Sequence, residues 1–308
     1  MKNILLTGAY KYSDEQIEKI KEIGYKVTFI QDERVKLDID VSCFSAVVCN
    51  SLFIYNDIKK FENLELIHLT SAGLDRVPLE YIKEKNITLC NASGVYSIPI
   101  AEWVILKILE VYKQSRQFHY QQGRKLWVKQ RYLEELTGKN VAILGFGSIG
   151  QEIAKRIKPF NVNIISIDIN DNNTLLRNNF VHINKLQETV SNLDVIILTL
   201  PLLESTRYLF DKNIILKMKK NSLLINVSRG EIINTLDLIS VLQSRQDITA
   251  VLDVFEEEPL PNDNKLWSLP NVYVSPHNSY VSNLIDVRLF DLIYNNLKKM
   301  SEKGDKYV

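Results

Sequence analysis

The chain has 308 residues, 45% hydrophobic and 24% charged, which excludes a disordered or fibrous polymer and leaves room for about two domains. Lys and Arg number 38 against 37 Asp and Glu, a formal net charge of +1, so no basic excess marks a nucleic-acid binder. The longest apolar run, residues 195–203, is too short to span a bilayer, and MKNILLTGAYK has no signal-peptide core, so a cytoplasmic chain with neither membrane nor nucleic-acid partners is expected.

Short β-rich runs alternate with helical patterns almost throughout, the signature of parallel sheets joined by crossover helices. In the first hundred residues, strands are expected at 4–6, 27–30, 46–49, 66–69 and 87–89. Between the first two, Ser13 and Gln16 form the two ends of a capping box, apolar Ile17, Ile20 and Ile23 follow at helical spacing, and Gly24 stops the helix. A long helix follows over 98–114, apolar on more than one face, with Pro99 suited to its first turn. The polar stretch 117–137, with Trp127 and scattered basic residues, reads as a surface connection. A second series then predicts strands at 140–145, 162–168, 194–199, 222–227, 248–253 and 271–275, with helices starting near Ser148, Asn184, Asp211 and Thr235. A last helix covers 282–300, followed by a charged tail. The three cysteines, Cys43, Cys49 and Cys90, have no paired spacing and read as reduced core residues.

Chemistry first shows at GFGSIG, which follows a buried strand pattern directly and opens a helix. Gly145 allows the tight turn, Gly147 lets a pyrophosphate approach the backbone beside Ser148 and Ile149, and Gly150 lets helix and strand pack closely. The pyrophosphate would rest on the free N–H groups at the start of that helix. The next strand ends in Asp168, eighteen residues beyond Gly150, where an acid accepts hydrogen bonds from ribose hydroxyls and repels a 2′-phosphate. NAD is therefore expected over NADP. Further on, NVSRG, LDVFEEEPLP and SPHN place Arg229, Glu258 and His277 just beyond strand ends, where ligands bind in open α/β sheets.

Taken together, these motifs resemble the D-isomer-specific 2-hydroxyacid dehydrogenase family. The likeness includes TSAGLD at 70–75, AEW at 101–103, GKNVAILGFGSIG, LPLLESTRYL, NVSRG, LDVFEEEPLP, LW at 266–267 and SPHN, in that order over most of the chain. It implies an α/β fold of two doubly wound parallel-sheet domains. A flavodoxin-like substrate domain (1–97 plus 282–308) would be split around an inserted Rossmann NAD domain (98–281), with the helix near Pro99 building a homodimer.

The reaction implied is hydride transfer between nicotinamide and C2 of a small D-2-hydroxy acid or 2-keto acid, of the 3-phosphoglycerate, glycerate or glyoxylate type. His277 would be the acid/base, Glu258 would orient it and favour its imidazolium, and Arg229 would clamp the substrate carboxylate. The family matching also gives Ala72 and Gly73 as backbone donors to that carboxylate, with Arg229 and His277 completing the substrate contacts. Thr199, Leu200, Pro201, Val227 and Ser228 would line the cofactor, Thr206 would touch its pyrophosphate, and Asp253 would lie near the nicotinamide carboxamide. No metal site is implied. Asn278, Ser279 and Tyr280 after the Pro-His pair, and residues 94–97, depart from the common family pattern and bear on the choice of substrate. A second reading of the same resemblance is an NADH-binding corepressor-like protein with little turnover.

Overall fold

The computed structural model describes residues 1–171 and 174–304; residues 305–308 of the charged tail lie outside them. In chain order the elements are β1 (Lys2–Thr7), α1 (Asp14–Glu22), β2 (Tyr25–Ile30), β3 (Ala46–Cys49), α2 (Leu52–Tyr55), β4 (Leu66–Leu69), α3 (Leu79–Glu84) and β5 (Thr88–Cys90). Then come α4 (Ser97–Tyr112), α5 (Ser115–Gly123), β6 (Asn140–Leu144), α6 (Ser148–Ile157), β7 (Asn163–Asp168), β8 (Asn179–His182), α7 (Leu186–Thr189) and β9 (Val195–Leu198). The series closes with α8 (Lys212–Lys217), β10 (Leu223–Asn226), α9 (Thr235–Ser244), β11 (Thr249–Leu252), β12 (Val272–Val274) and α10 (Ile285–Gly304).

Two compact units result, Met1–Tyr96 with the residues from Ser282 on, and Ser97–Val281. The first holds a parallel sheet in the order β2-β1-β3-β4-β5, whose order reverses between β1 and β3. Its inner strands β1, β3 and β4 are mostly apolar on both faces because both are covered. Ile4, Leu6, Val48 and Leu66 face Ile20 of α1 and Leu289, Ile293 and Leu297 of α10. Leu5, Val47, Ile67 and Leu69, one residue out of step, face Leu52, Ile58 and Ile82. The capping box on α1 is present in full, with Ser13 and Gln16 bonding each other's backbone.

The second unit holds a seven-stranded parallel sheet, β12-β11-β10-β9-β6-β7-β8, which reverses between β6 and β9. That is the doubly wound dinucleotide-binding order with one further strand. Helix α4 packs against α6 and buries Ala101, Val104 and Ile108.

Several features differ from the sequence expectation, among them the short helices α2 and α3. Strand β8 lies at the sheet edge, where NFVH is only partly buried and carries no run of strong apolars. Helix α5 occupies the start of the stretch read as a connection; its face is polar and only Gln121 is buried, so no apolar stripe announces it. Among the cysteines, Cys49 is buried and Cys90 half-buried, but Cys43 is exposed, which corrects the expectation of three core thiols.

His68, at the centre of β4, is fully buried; Nδ1 meets the Leu69 carbonyl at 3.1 Å and Nε2 meets Asn296 Nδ2 at 3.2 Å. Burial pushes its pKa down to about 4, against the lesser pull of backbone carbonyls. The unfolded chain, with an ordinary imidazole, takes up a proton first as pH falls, so the stability is present above about pH 6.5 and is lost toward pH 4. Urea unfolding at pH 7.5 and pH 5 should show wild type losing about 2 kcal/mol more than His68→Gln over that interval. Equal losses would mean that His68 titrates in the folded chain as it does in the unfolded one.

Candidate active site

The turn after β6 is shaped by close backbone approach. Gly145 has φ of +90°, and a Cβ there would lie 2.8 Å from the Thr199 carbonyl carbon and 2.9 Å from Leu200 N, both backbone atoms at the end of β9. A Cβ on Gly150 would lie 2.4 Å from the Gly145 carbonyl oxygen. Gly147 is different: it is exposed at the N-cap of α6, and a Cβ would meet nothing within 4 Å. The first and third glycines thus close the turn, while the second leaves an open cradle at a helix N-terminus, which fits a dinucleotide pyrophosphate. Ser148 is exposed and Ile149 half-buried beside it.

Asp168, half-buried at the end of β7, accepts the Phe146 N–H at 2.7 Å and the Ile169 N–H at 2.7 Å. It therefore ties its strand to the glycine turn, and two carboxylate oxygens with four lone-pair sites keep acceptor capacity for a ribose diol. Thr199 donates its hydroxyl to the Gly145 carbonyl at 2.6 Å. Pro201 is exposed, whereas Leu200, Val227 and Ser228 are buried. Thr206 is buried, with its hydroxyl held inside its own loop, donating to the Pro201 carbonyl at 2.7 Å and accepting the Leu203 N–H at 2.8 Å. Used in this way, the hydroxyl shapes the 201–206 loop.

Arg229, Glu258 and His277 come together within the second unit, at the carboxyl ends of β10, β11 and β12. Beyond β10, buried Asn226 builds the turn: its Oδ1 accepts from Ser228 N at 3.1 Å and Ser228 Oγ at 2.7 Å, and its Nδ2 donates to the Arg229 carbonyl at 2.8 Å. The Arg229 guanidinium donates to the Ser228 carbonyl at 2.8 Å. Gly230 then packs so closely that a Cβ would lie 1.9 Å from the Phe255 carbonyl carbon and 2.2 Å from Glu256 N.

Beyond β11, the Phe255 N–H donates to Glu258 Oε1 at 2.9 Å, and Glu258 Oε2 meets His277 Nδ1 at 2.7 Å. Partial burial works to raise the Glu258 pKa, but the hydrogen bonds from His277 and Phe255 and the charges of His277 and Arg229 overcome it and hold it below the usual carboxylate value. The side chains of His277 and Glu258 remain 39% and 36% exposed, so a small molecule can reach the imidazole. With Nδ1 on Glu258, Nε2 is the ring nitrogen placed to exchange a proton.

His277 sits in the left-handed region, φ +50°, with its N–H on the Asp253 carbonyl at 2.8 Å. Asp253 itself is 0% exposed, and its carboxylate accepts from Ser275 Oγ at 2.5 Å and from the N–H groups of Asn278 and Ser279 at 2.9 Å each. It fastens the loop that carries His277. Tyr280 meets the His277 ring edge-on, centroids 5.8 Å apart and planes at 90°. Neither the Asp253 anchorage nor the Asn226 turn is signalled by periodicity; only the polar residues beside strand ends hint at them.

Ala72 and Gly73 lie in the first unit, after β4. The carbonyls around them are all engaged from residues 91–96 or locally: Thr70 by Tyr96 Oη, Ser71 by Ala92 N at 2.9 Å, Ala72 by Asn91 Nδ2 at 2.6 Å, and Gly73 by Ser71 Oγ at 3.1 Å. The loop is thus held through its oxygens.

Residues 105–279 match the family described as D-isomer specific 2-hydroxyacid dehydrogenase, NAD binding domain. The chain is 33% identical over 252 residues to a hydroxypyruvate reductase of Thermotoga maritima, covering 80% of each chain. It is 35% identical over 222 residues to a D-3-phosphoglycerate dehydrogenase of Methanocaldococcus jannaschii, a match covering 71% of this chain and 42% of that protein's length. In fold it is similar to a D-lactate dehydrogenase of Aquifex aeolicus solved with NAD and lactic acid, with a TM-score of 0.79, 22% identity, and coverage of 98% and 96% of the two chains.

Proposed function

The chain belongs to the D-isomer-specific 2-hydroxyacid dehydrogenase family, and from that premise we propose that it reduces a small 2-keto acid, in the size range of glyoxylate, hydroxypyruvate and phosphohydroxypyruvate, with NADH. The observation that carries this reading is the 2.7 Å Glu258–His277 pair beside Arg229 at three adjacent strand ends. When bound, NADH supplies the hydride delivered to C2. His277 Nε2 gives its proton to the carbonyl oxygen as that oxygen becomes a hydroxyl. Glu258 stays ionised and stabilises the imidazolium beforehand. Arg229 holds the substrate carboxylate with its planar fork and polarises the carbonyl. By the family resemblance, Ala72 and Gly73 are backbone N–H donors to a substrate carboxylate. Asp253 and Thr206 are positioning residues, for the His277 loop and the 201–206 loop. Thr199, Leu200, Pro201, Val227 and Ser228 form the wall behind the cofactor.

The test is NADH oxidation by the purified protein against glyoxylate, hydroxypyruvate, phosphohydroxypyruvate, pyruvate and a bulky branched 2-keto acid. Turnover of at least one acid is expected; NADH binding with none would support the corepressor-like reading instead. Asp168, a carboxylate where a 2′-phosphate would have to sit, should make kcat/KM with NADH exceed that with NADPH by about tenfold or more, the scale of one unfavourable charge contact. Equal efficiency with the two cofactors would remove Asp168 from ribose recognition.

The segment after α5 exposes an apolar surface, with Trp127 93% and Tyr132 89% accessible and exposed Leu126 and Val128 on either side of Trp127. Isolated chains rarely leave such a patch bare. We assign it, with the exposed Leu106 of α4, to contact with a second copy of the chain. Sedimentation should return twice the 35.6 kDa chain mass, and Trp127→Ser with Tyr132→Ser should shift it toward one chain. A wild-type mass of one chain at micromolar concentration would overturn the assignment.

A further inference from the structure

At the carboxyl pole of the five-stranded sheet, the order reverses between β1 and β3, and such a switch point is where open α/β sheets bind ligands. Here the protein has filled that point with a charge of its own. Glu33, 5% exposed, reaches in from the segment after β2. Its Oε2 accepts the Thr7 hydroxyl at 2.6 Å from the end of β1. The same carboxylate accepts the N–H groups of Asn50, at 3.0 and 3.1 Å, and of Ser51, both just beyond β3. These amides are the donors that an incoming anion would use. Arg76 donates to Ser51 Oγ at 3.3 Å, so one serine joins the carboxylate to the guanidinium. The carboxylate, one serine removed, thereby offsets the Arg76 charge.

The Ser71–Gly73 loop stands one strand away. Strands β3 and β4 pair with Cys49 opposite Leu69, which puts the Asn50–Ser51 turn about 5 Å from the Thr70–Ser71 turn. On the other side, residues 91–96 are bonded to the carbonyls of Thr70, Ser71 and Ala72 and fill the space next to β5. The 70–73 loop is thus flanked by residues 91–96 on one side and by β3, with Glu33 at its end, on the other, the side left to a C3 substituent of an acid held by the N–H groups of Ala72 and Gly73.

We propose that Glu33 is a specificity-determining residue that closes this pole to phosphate, so that the substrate is an unphosphorylated 2-keto acid; this rests on the reading that Ala72 and Gly73 receive the substrate carboxylate. A phosphate is an acceptor of hydrogen bonds and needs donors and positive charge. It would find the two backbone donors taken and the guanidinium's charge offset. A hydrogen or a hydroxymethyl group at C3 meets no such penalty.

The experiment compares kcat/KM for hydroxypyruvate and phosphohydroxypyruvate, with NADH, in wild type, Glu33→Gln and Arg76→Leu. Wild type should favour hydroxypyruvate by about tenfold or more, the scale of one uncompensated charge contact near a protein surface. Glu33→Gln unmasks Arg76 and should narrow that ratio several-fold, with inorganic phosphate becoming a stronger competitor of hydroxypyruvate. Arg76→Leu, which leaves the carboxylate in place, should widen it, and it keeps the proposal testable if Glu33→Gln does not fold. Equal or better use of phosphohydroxypyruvate by wild type overturns the proposal and leaves the keto-acid reading standing. Ratios unmoved in the folded variants overturn it also. No turnover of any acid in the panel overturns the functional reading, and this one with it.

Discussion

Replacing His277 by Gln should lower kcat for keto-acid reduction by at least about a hundredfold, the usual scale for removing a general acid/base. Glutamine keeps a polar side chain of similar reach but has no proton to give at neutral pH. The scaffold around it should hold, because the loop is fastened by Asp253 through Ser275, Asn278 and Ser279 rather than by the imidazole. NADH binding, followed by fluorescence titration, should therefore change little while turnover falls. A variant within a few-fold of wild type would remove His277 from proton transfer. Glu258→Gln should give a smaller loss with a clearer pH signature. Its side-chain carbonyl can still accept the Phe255 N–H, but no charge remains to stabilise the imidazolium. The sign follows from the chemistry: reduction uses protonated His277 and oxidation uses the neutral ring, so Glu258→Gln should suppress reduction more than oxidation at the same pH. The Glu258 pKa lies below the usual carboxylate value, so the charge it contributes is present through the neutral range and lost only as pH falls through that lowered value.

Much of this site can be read from residue order because its motifs are local. The glycine turn is legible since each glycine meets its constraint within the βα unit or at the adjacent strand, and the structure assigns each a distinct environment: close backbone at Gly145 and Gly150, open space at Gly147. Strand runs such as 46–49 and 66–69 are legible because both sheet faces are covered and every residue but His68 is apolar. What escapes is set by tertiary approach. Nothing in LDVFEEEPLP says that Asp253 is fully buried, or that Glu256 is drawn away to the Thr235 N–H and the Tyr208 hydroxyl while Glu258 faces His277. Glu33 lies in a polar loop sequence, QDERVK, that reads as solvated surface; its burial depends on amides contributed by β3, some seventeen residues on. Edge strand β8 and the polar helix α5 escape for the opposite reason, since they bury too little to leave a periodic mark.

Gly230 is where the two levels meet, and Gly230→Ala should be the most damaging single-methyl change in the site. The glycine is quoted in NVSRG as part of a turn, yet its backbone φ is not in the left-handed region, so conformational freedom is not the reason for it. The reason is contact: an added Cβ would fall 1.9 Å from the Phe255 carbonyl carbon and 2.2 Å from Glu256 N, both main-chain atoms that cannot swing aside. The β10 and β11 loops must then separate. Arg229 precedes the methyl by one residue, and the Phe255 N–H is the donor that seats Glu258. One shift therefore displaces the substrate clamp and the carboxylate behind His277 together. A displacement of about 1 Å of such groups costs roughly a hundredfold in rate, and overpacking costs about 1–3 kcal/mol of stability. Kinetics and urea unfolding should show both losses, with kcat/KM falling by at least about that hundredfold. The control is Gly147→Ala, whose Cβ meets nothing within 4 Å, so its unfolding midpoint should stay near wild type while NADH affinity weakens. Wild-type kinetics in Gly230→Ala would mean that the loops slide apart without moving Arg229 or Glu258, and the geometry assigned to both would have to be abandoned.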